Sequence, residues 1–219
     1  MGAADRLVIA LDDPGRAGFV AEKVCGRVWG VKLGLPLAIA GVLGGVARSC
    51  RDSTLIVDLK LADVGHVMAA VVRALEGLAD AVIAHSFVGY EGALETLTAA
   101  AREAGMKVIL VYTMSHRGAM EAMVPCRGRL AEVIRRADPW GVVAPATRPW
   151  EVEEARRLFP GKAILSPGVG LQGGRPGDAL CAGADYEIVG RAVASSPNPG
   201  VALERLEREI EARGCVDGG

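Results

Sequence analysis

The sequence predicts an α/β protein folded as one (β/α)8 TIM barrel, a single domain over residues 1–219. Short, nearly continuous apolar segments alternate with amphipathic ones along the whole chain. Strands buried on both faces read as such runs, and strands alternating with helices build parallel sheets. The alternation repeats eight times, which favours a closed barrel over an open sheet, and no G-x-G-x-x-G follows the first strand.

Strands are expected at 7–11, 28–33, 55–59, 81–84, 108–112, 141–144, 163–165 and 187–189. The first is wholly apolar. The second and third are apolar until Lys32 and Asp58 appear near their ends, and the fourth runs into His85. The fifth to eighth are Val-, Ile- and Leu-rich and run into Thr113, Pro145, Ser166 and Gly190. Helices are expected at 19–25, 37–49, 67–77, 93–104, 129–137, 151–158, 176–182 and 200–212, where apolar positions recur at helical spacing. A chain of 219 residues is short for such a barrel, so its loops must be lean. The last residues, 214–219, are expected to form a frayed tail.

Composition narrows the function. A formal charge of −1 gives no field to draw the protein to nucleic acid or a membrane surface. Aromatic residues make up only 4%, too few for a base-stacking surface. No apolar run reaches membrane-spanning length and no secretory leader is expected before the first strand, so a cytoplasmic location is expected. The five cysteines (Cys25, Cys50, Cys126, Cys181, Cys215) are scattered and form no C-x-x-C pair. They read as reduced thiols without a structural zinc. Only five of the 25 basic residues are lysine, yet Lys32 and Lys60 both follow apolar runs at strand ends. Lysine can lose its proton at a useful pH, whereas arginine effectively cannot.

A barrel keeps its chemistry at the carboxyl ends of its strands. Asp12 follows strand 1, Lys32 lies near the end of strand 2, and Asp58, Lys60 and Asp63 follow one another at the end of strand 3. Residues i and i+2 of a strand share a face, which would set Asp58 beside Lys60. An isolated D-x-K is equally an ordinary salt-bridged strand end. Lys32 on the adjacent strand makes an alternating network with Asp58, Lys60 and Asp63, holding Lys60 as an ammonium. Each pair at about 4 Å is worth on the order of 4 kcal/mol before desolvation at an effective dielectric near 20. Ser115 lies in the loop after strand 5. Strand 7 runs into Ser166-Pro167-Gly-Val-Gly-Leu-Gln172-Gly-Gly, and strand 8 into Gly190-Arg191. Glycines let backbone N–H groups approach an anion, and loops after strands 7 and 8 of a barrel often bind phosphate. A tight turn beside a solvated arginine is the plainer reading of the same residues. Of the histidines, His85 reads as a structural hydrogen-bonding residue, and His66 and His116 as surface groups. None has metal-ligand spacing.

Taken together, Val31-Lys32-Leu-Gly, Asp58-Leu-Lys60-Leu-Ala-Asp63, Met114-Ser115-His116, Ser166-Pro-Gly-Val-Gly-Leu-Gln172-Gly-Gly and Ile188-Val-Gly190-Arg191 resemble orotidine 5'-phosphate decarboxylases of the short archaeal type. D-x-K-x-x-D is shared with relatives, while the P-G-V-G-x-Q-G-G segment with its terminal G-R is more specific. The resemblance implies a homodimeric barrel, a carbon–carbon lyase that converts orotidine 5'-phosphate to uridine 5'-phosphate and CO2 in pyrimidine biosynthesis, with no cofactor and no metal. By matched position, Lys60 would protonate C6 of the pyrimidine and Asp58 would face the departing carboxylate. Lys32 would join the network to the ribose, and Asp12 would bind a ribose hydroxyl. Asp63 would reach into the partner subunit's site. Ser115 would contact base and lid, Pro167 would line the base pocket, and Gln172, Gly190 and Arg191 would hold the phosphate. The chain departs from the family pattern at Val67, where a threonine is usual, and at Arg117, where proline is common.

Two other readings use the same residues. One is a Mg2+-dependent sugar-phosphate decarboxylase or hexulose-phosphate synthase of the same superfamily, which would carry an acid near the end of strand 2 where Lys32 stands. The other is a non-catalytic barrel that binds a phosphate ligand, since fold alone does not fix function.

Overall fold

The structure is a computed structural model and describes residues 2–215. Eight parallel strands close in sequence order: β1 (Leu7–Leu11), β2 (Gly30–Gly34), β3 (Thr54–Leu61), β4 (Ala81–His85), β5 (Lys107–Val111), β6 (Gly141–Val143), β7 (Ala163–Val169) and β8 (Tyr186–Val189), with β8 pairing back onto β1. The barrel expected from the alternating pattern is therefore present.

Side-chain alternation sorts the core into two parts. Val8, Ala10, Ile56, Ile83, Ile109 and Ile188 are among those that fill the barrel interior. Their neighbours, such as Leu7, Ile9, Val57, Leu110 and Val189, pack outward against the helices. At the amino-terminal end of the strands Trp29, Tyr186 and Trp140 stack, with Trp29 and Tyr186 centroids 3.7 Å apart. This apolar floor leaves the opposite rim free for polar residues.

The helices are α1 (Ala17–Val24), α2 (Leu35–Ile39), α3 (Leu43–Ser49), α4 (Gly65–Ala74), α5 (Glu95–Glu103), α6 (Ala119–Ala122), α7 (Arg127–Ala137), α8 (Pro149–Leu158), α9 (Asp178–Cys181), α10 (Arg191–Ala194) and α11 (Pro199–Glu211). The long helix expected at 37–49 is two helices, because Gly41 sits at φ +71° and breaks it. The helix expected from Pro176 begins only at Asp178, after Gly177 at φ +86°. Two short helices, α6 and α10, have no counterpart in the sequence expectation. In α11, Pro199 takes the first turn and the Asn198 side chain accepts from the Val201 N–H at 3.3 Å.

Two strands carry irregularities at the rim. In β3 the register steps from Val57 opposite Val82 to Leu61 opposite Ala84, so Asp58, Leu59 and Lys60 bulge out, with Lys60 at φ +49°. In β7 the register shifts between Pro167 and Val169, with Gly168 at φ +107°. The sequence expectation ended β7 at Leu165; the strand continues through Pro167 to Val169.

The expectation of reduced thiols is overturned. Cys25 is bonded to Cys50 and Cys181 to Cys215, with Cα atoms 5.0 and 5.1 Å apart, while Cys126 is free and exposed. The partners are 25 and 34 residues apart in sequence, so no local spacing reveals them. They meet because the ends of α1 and α3 are neighbours, as are α9 and the end of α11. Of the tail expected at 214–219, Cys215 is thus tied to α9, and residues 216–219 lie outside the described residues. Among the described residues no helix is long and apolar enough to cross a membrane.

Candidate active site at the carboxyl rim

A cavity of about 440 Å³ opens at the carboxyl ends of the strands. Its charged wall comes from β1 to β3. Asp58 is 6% exposed and Lys32 8%. Lys60 Nζ donates to Asp58 Oδ1 at 2.6 Å, Lys32 Nζ lies 3.2 Å from Asp58 Oδ2, and Lys32 Nζ donates to Asp12 Oδ1 at 3.2 Å. Burial alone would raise the Asp58 carboxyl, but the ammonium groups of Lys32 and Lys60 outweigh it and hold the group below the usual carboxylate range. Burial alone would lower Lys32, but Asp58 and Asp12 outweigh that and hold it raised. A buried carboxylate and a buried ammonium thus keep their charges because each faces the other.

The contact between Asp58 and Lys60 does not arise from regular strand alternation. The bulge turns Lys60 into the left-handed region, which costs a non-glycine residue about 1–2 kcal/mol and is a hallmark of functional sites. Asp12 depends on a residue with no charge at all. A Cβ on Gly34 would lie 1.8 Å from Asp12 Oδ1, so only glycine leaves room for that carboxylate. In the sequence Gly34 stands only as the last residue of Val31-Lys32-Leu-Gly, without a role, because the requirement comes from a neighbouring strand.

Within one chain the network reads Asp12–Lys32–Asp58–Lys60. Asp63, expected at its end, stands outside the cavity. It is exposed, and its Oδ1 accepts from the Val64 N–H at 2.7 Å. Val64 and Val67 beside it are 52% and 38% exposed.

The opposite wall comes from β5, β7 and β8. Ser115, Pro167, Gln172, Gly190 and Arg191 all line the cavity, as expected. Ser115 Oγ donates to Gln172 Oε1 at 2.8 Å, linking the loop after β5 to the loop after β7. That second loop closes on itself: Gly170 N–H donates to Gly174 O at 2.7 Å and Gly174 N–H to Gly168 O at 3.0 Å. Arg191 opens α10 and is exposed, and its guanidinium has no hydrogen-bond or ion-pair partner among the described residues. It therefore offers a free planar donor to an anion. Between the two walls Ile83, Val143 and Ile188 supply an apolar bed.

Arg148, also unnoticed in the sequence, supports the Ser115 side. Its guanidinium donates to the carbonyls of Met114 and Ser115 at 2.5 and 3.3 Å and to the buried Glu151 at 2.6 Å. The i, i+3 spacing of Arg148 and Glu151 on the first turn of α8 was the available signal. His85 differs from its expected role: its buried Nδ1 has no hydrogen-bond partner. Burial, then the Lys60 ammonium, hold its pKa below the ordinary value, and the ring packs on Phe87. His66 and His116 are exposed.

The family model of orotidine 5'-phosphate decarboxylase / HUMPS matches residues 5–206. The chain belongs to this family. It is 50% identical to the orotidine 5'-phosphate decarboxylase of Aeropyrum pernix, over 96% of this chain and 91% of that one. Identity to the Thermococcus kodakarensis orotidine 5'-phosphate decarboxylase is 42%, covering 94% and 96% of the two chains. Among solved structures, orotidine 5'-monophosphate decarboxylase from Sulfolobus solfataricus superposes with a TM-score of 0.86 at 34% identity, covering 96% of this chain and 99% of that one. The Methanocaldococcus jannaschii enzyme complexed with inhibitor BMP gives 0.86 at 31%, covering 94% and 99%. Membership of the orotidine 5'-phosphate decarboxylase / HUMPS family explains why the matched motifs occupy one cavity. The family's name covers more than one activity, and the site residues distinguish between them.

Proposed function

We propose that this protein is a lyase that decarboxylates orotidine 5'-phosphate to uridine 5'-phosphate and CO2 in pyrimidine biosynthesis, as a cytoplasmic homodimer. The observation that carries this reading is the buried Asp58, held ionised between Lys32 and Lys60 and facing a cavity that ends at Gln172 and Arg191. The identity to named decarboxylases supports it.

In this reading the phosphate lies between Gln172, Gly190 and Arg191, and the pyrimidine lies near Pro167 with Ser115 at its polar edge. The ribose reaches Asp12 and Lys32. That pose sets the carboxylate of the base against Asp58. Two like charges held together in a low-dielectric site repel, and the repulsion is relieved as CO2 departs. The carbon–carbon bond breaks with its electron pair left on C6, and Lys60 Nζ delivers a proton there. The resulting amine regains a proton from solvent. The nearby ammonium stabilises the developing negative charge before the proton moves, and no electron sink from a cofactor is required.

Asp63 in this reading serves the partner subunit's site. Its exposure beside the apolar Val64 and Val67, and its separation from its own cavity, support that assignment. Val67 brings no hydroxyl to that contact. Two disulfides fit a cytoplasmic location in organisms whose intracellular proteins retain them, as those of hyperthermophilic archaea do.

The Mg2+-dependent alternative is disfavoured by Lys32. Its ammonium lies between the Asp12 and Asp58 carboxylates, where a second cation would be repelled. A spectrophotometric assay of orotidine 5'-phosphate with and without a chelator tests the proposal. Equal loss of the substrate absorbance in both is expected. Turnover that the chelator abolishes, or no turnover, overturns it.

A further inference from the structure

We infer that Glu187 is a positioning residue for phosphate binding: its buried carboxylate anchors the far end of the Gly170–Gly177 loop to the same strand that delivers Arg191. The inference rests on the placement of the phosphate between Gln172 and Arg191 given above.

Glu187 is fully buried on β8, an element otherwise expected to carry apolar side chains. Its strand neighbours Ile188 and Val189 face the interior and the helices respectively, so Glu187 faces outward beneath α9. There both carboxylate oxygens accept from the Gly177 N–H at 3.0 Å, and Oε1 also accepts from the Ala179 N–H at 3.1 Å. These N–H groups belong to the residues that end the loop and begin α9, which have no carbonyl partner within so short a helix. The register partner of Glu187 on β7 is Ser166, one residue before Pro167. Glu187 is therefore bonded to the end of the loop while its own backbone pairs with the strand from which the loop starts.

The loop has three other fastenings. Gly174 N–H returns to Gly168 at its start, Ser115 holds Gln172 in its middle, and Arg213 Nε donates to Pro176 O at 3.3 Å near its end. Among these, Glu187 alone connects the loop to β8. Gly190 and Arg191 follow it by three and four residues on the same chain segment. A rigid strand thus fixes the distance between Arg191 and the hinge of the loop that carries Gln172. Two donors that must close on one anion gain affinity from being held at the right separation beforehand.

Removing the acceptors should loosen the loop without touching the pyrimidine side of the cavity. The test is calorimetric binding of uridine 5'-phosphate and of uridine to the wild-type protein and to Glu187→Gln, whose amide offers a single acceptor oxygen. Glu187→Leu, which replaces the buried acid with apolar atoms, serves if the first variant does not fold. The expected result is uridine 5'-phosphate affinity about ten-fold weaker, the equivalent of about 1.4 kcal/mol, with uridine affinity unchanged. Equal weakening for both ligands would show a merely structural role and overturn the inference. So would full retention of the phosphate preference in a variant when the wild type shows that preference. A wild-type protein with no preference for the phosphorylated ligand overturns the placement of the phosphate, and with it the inference.

Discussion

The two bulges at the rim of the barrel do opposite jobs. In β3 the bulge presents side chains: Asp58 and Lys60 meet because Lys60 accepts a left-handed backbone at φ +49°. In β7 the bulge presents backbone: Gly168 takes φ +107° and leads into a loop whose N–H and carbonyl groups bond to one another. A non-glycine residue in the first position signals that its side chain is worth the strain, and glycine in the second signals that only the path of the chain matters. In the pose proposed above, the charge-bearing bulge serves the reacting end of the substrate and the glycine bulge the phosphate end.

The sharpest way to break this comparison is Lys60→Ala. Decarboxylation should fall by at least about 10³-fold, within the range a positioned general acid supplies, while uridine 5'-phosphate still binds. Retained turnover would remove Lys60 as proton donor. Mixing Lys60→Ala subunits with Asp63→Ala subunits should restore part of the activity if Asp63 serves the partner, and proven subunit exchange without recovery would count against a shared site.

A second prediction contrasts Asp58 with Glu187, two buried carboxyls shifted in opposite directions. Asp58 is held below its ordinary value, so the stability it contributes is present above the unfolded pKa and is lost as acid protonates it. Glu187 is pushed up to about 7 by burial, despite N–H groups that favour its ionised form. Its folded form binds the extra proton, so its contribution is full below the unfolded value and is lost as pH rises towards 7. The loss is on the order of 3 kcal/mol across that window. Urea unfolding between pH 4.5 and 7 should show stability falling with pH, and Glu187→Gln should flatten the slope. An unchanged slope in the variant would assign the trend to other groups.

Arg191→Ala comes next. A charge-assisted hydrogen bond is worth about 1.5–3 kcal/mol, so uridine 5'-phosphate should bind about 10- to 100-fold more weakly, with uridine unaffected. Equal losses for both ligands would refute the phosphate role. The smallest effect belongs to Gly168→Ala, which adds a Cβ 3.0 Å from Thr147 Cγ2 in a backbone region that suits glycine. Unfolding free energy should drop by about 1–3 kcal/mol. An unchanged value would mean that the β7 bulge tolerates a side chain and that the contrast with β3 is not one of strain.

Much of this arrangement was legible in the sequence, for identifiable reasons. The strands were visible because a strand buried on both faces is mostly apolar, and Asp12, Lys32, Asp58 and Lys60 stood out as charges at the ends of such runs. The glycines of 168–174 marked the second site because few other residues permit that path. What escaped depends on contacts between distant segments. Gly34 is required by Asp12 across two strands, Arg148 grips carbonyls more than thirty residues away, and the disulfides join cysteines without a local pattern. The bulge in β3 was also invisible, because its sequence reads equally well as regular alternation.

The bond between Cys181 and Cys215 turns the last part of the chain into a covalent ring. The ring contains β8, α10 and α11, and therefore both Glu187 and Arg191. Closing a loop of 34 residues removes about 4 kcal/mol of freedom from the unfolded chain on a chain-entropy account. A single peptide cleavage inside the ring leaves both pieces joined through sulfur. Of the cavity lining, the ring therefore holds Ile188, Gly190 and Arg191, and a cut elsewhere in it would not release them from the rest of the chain.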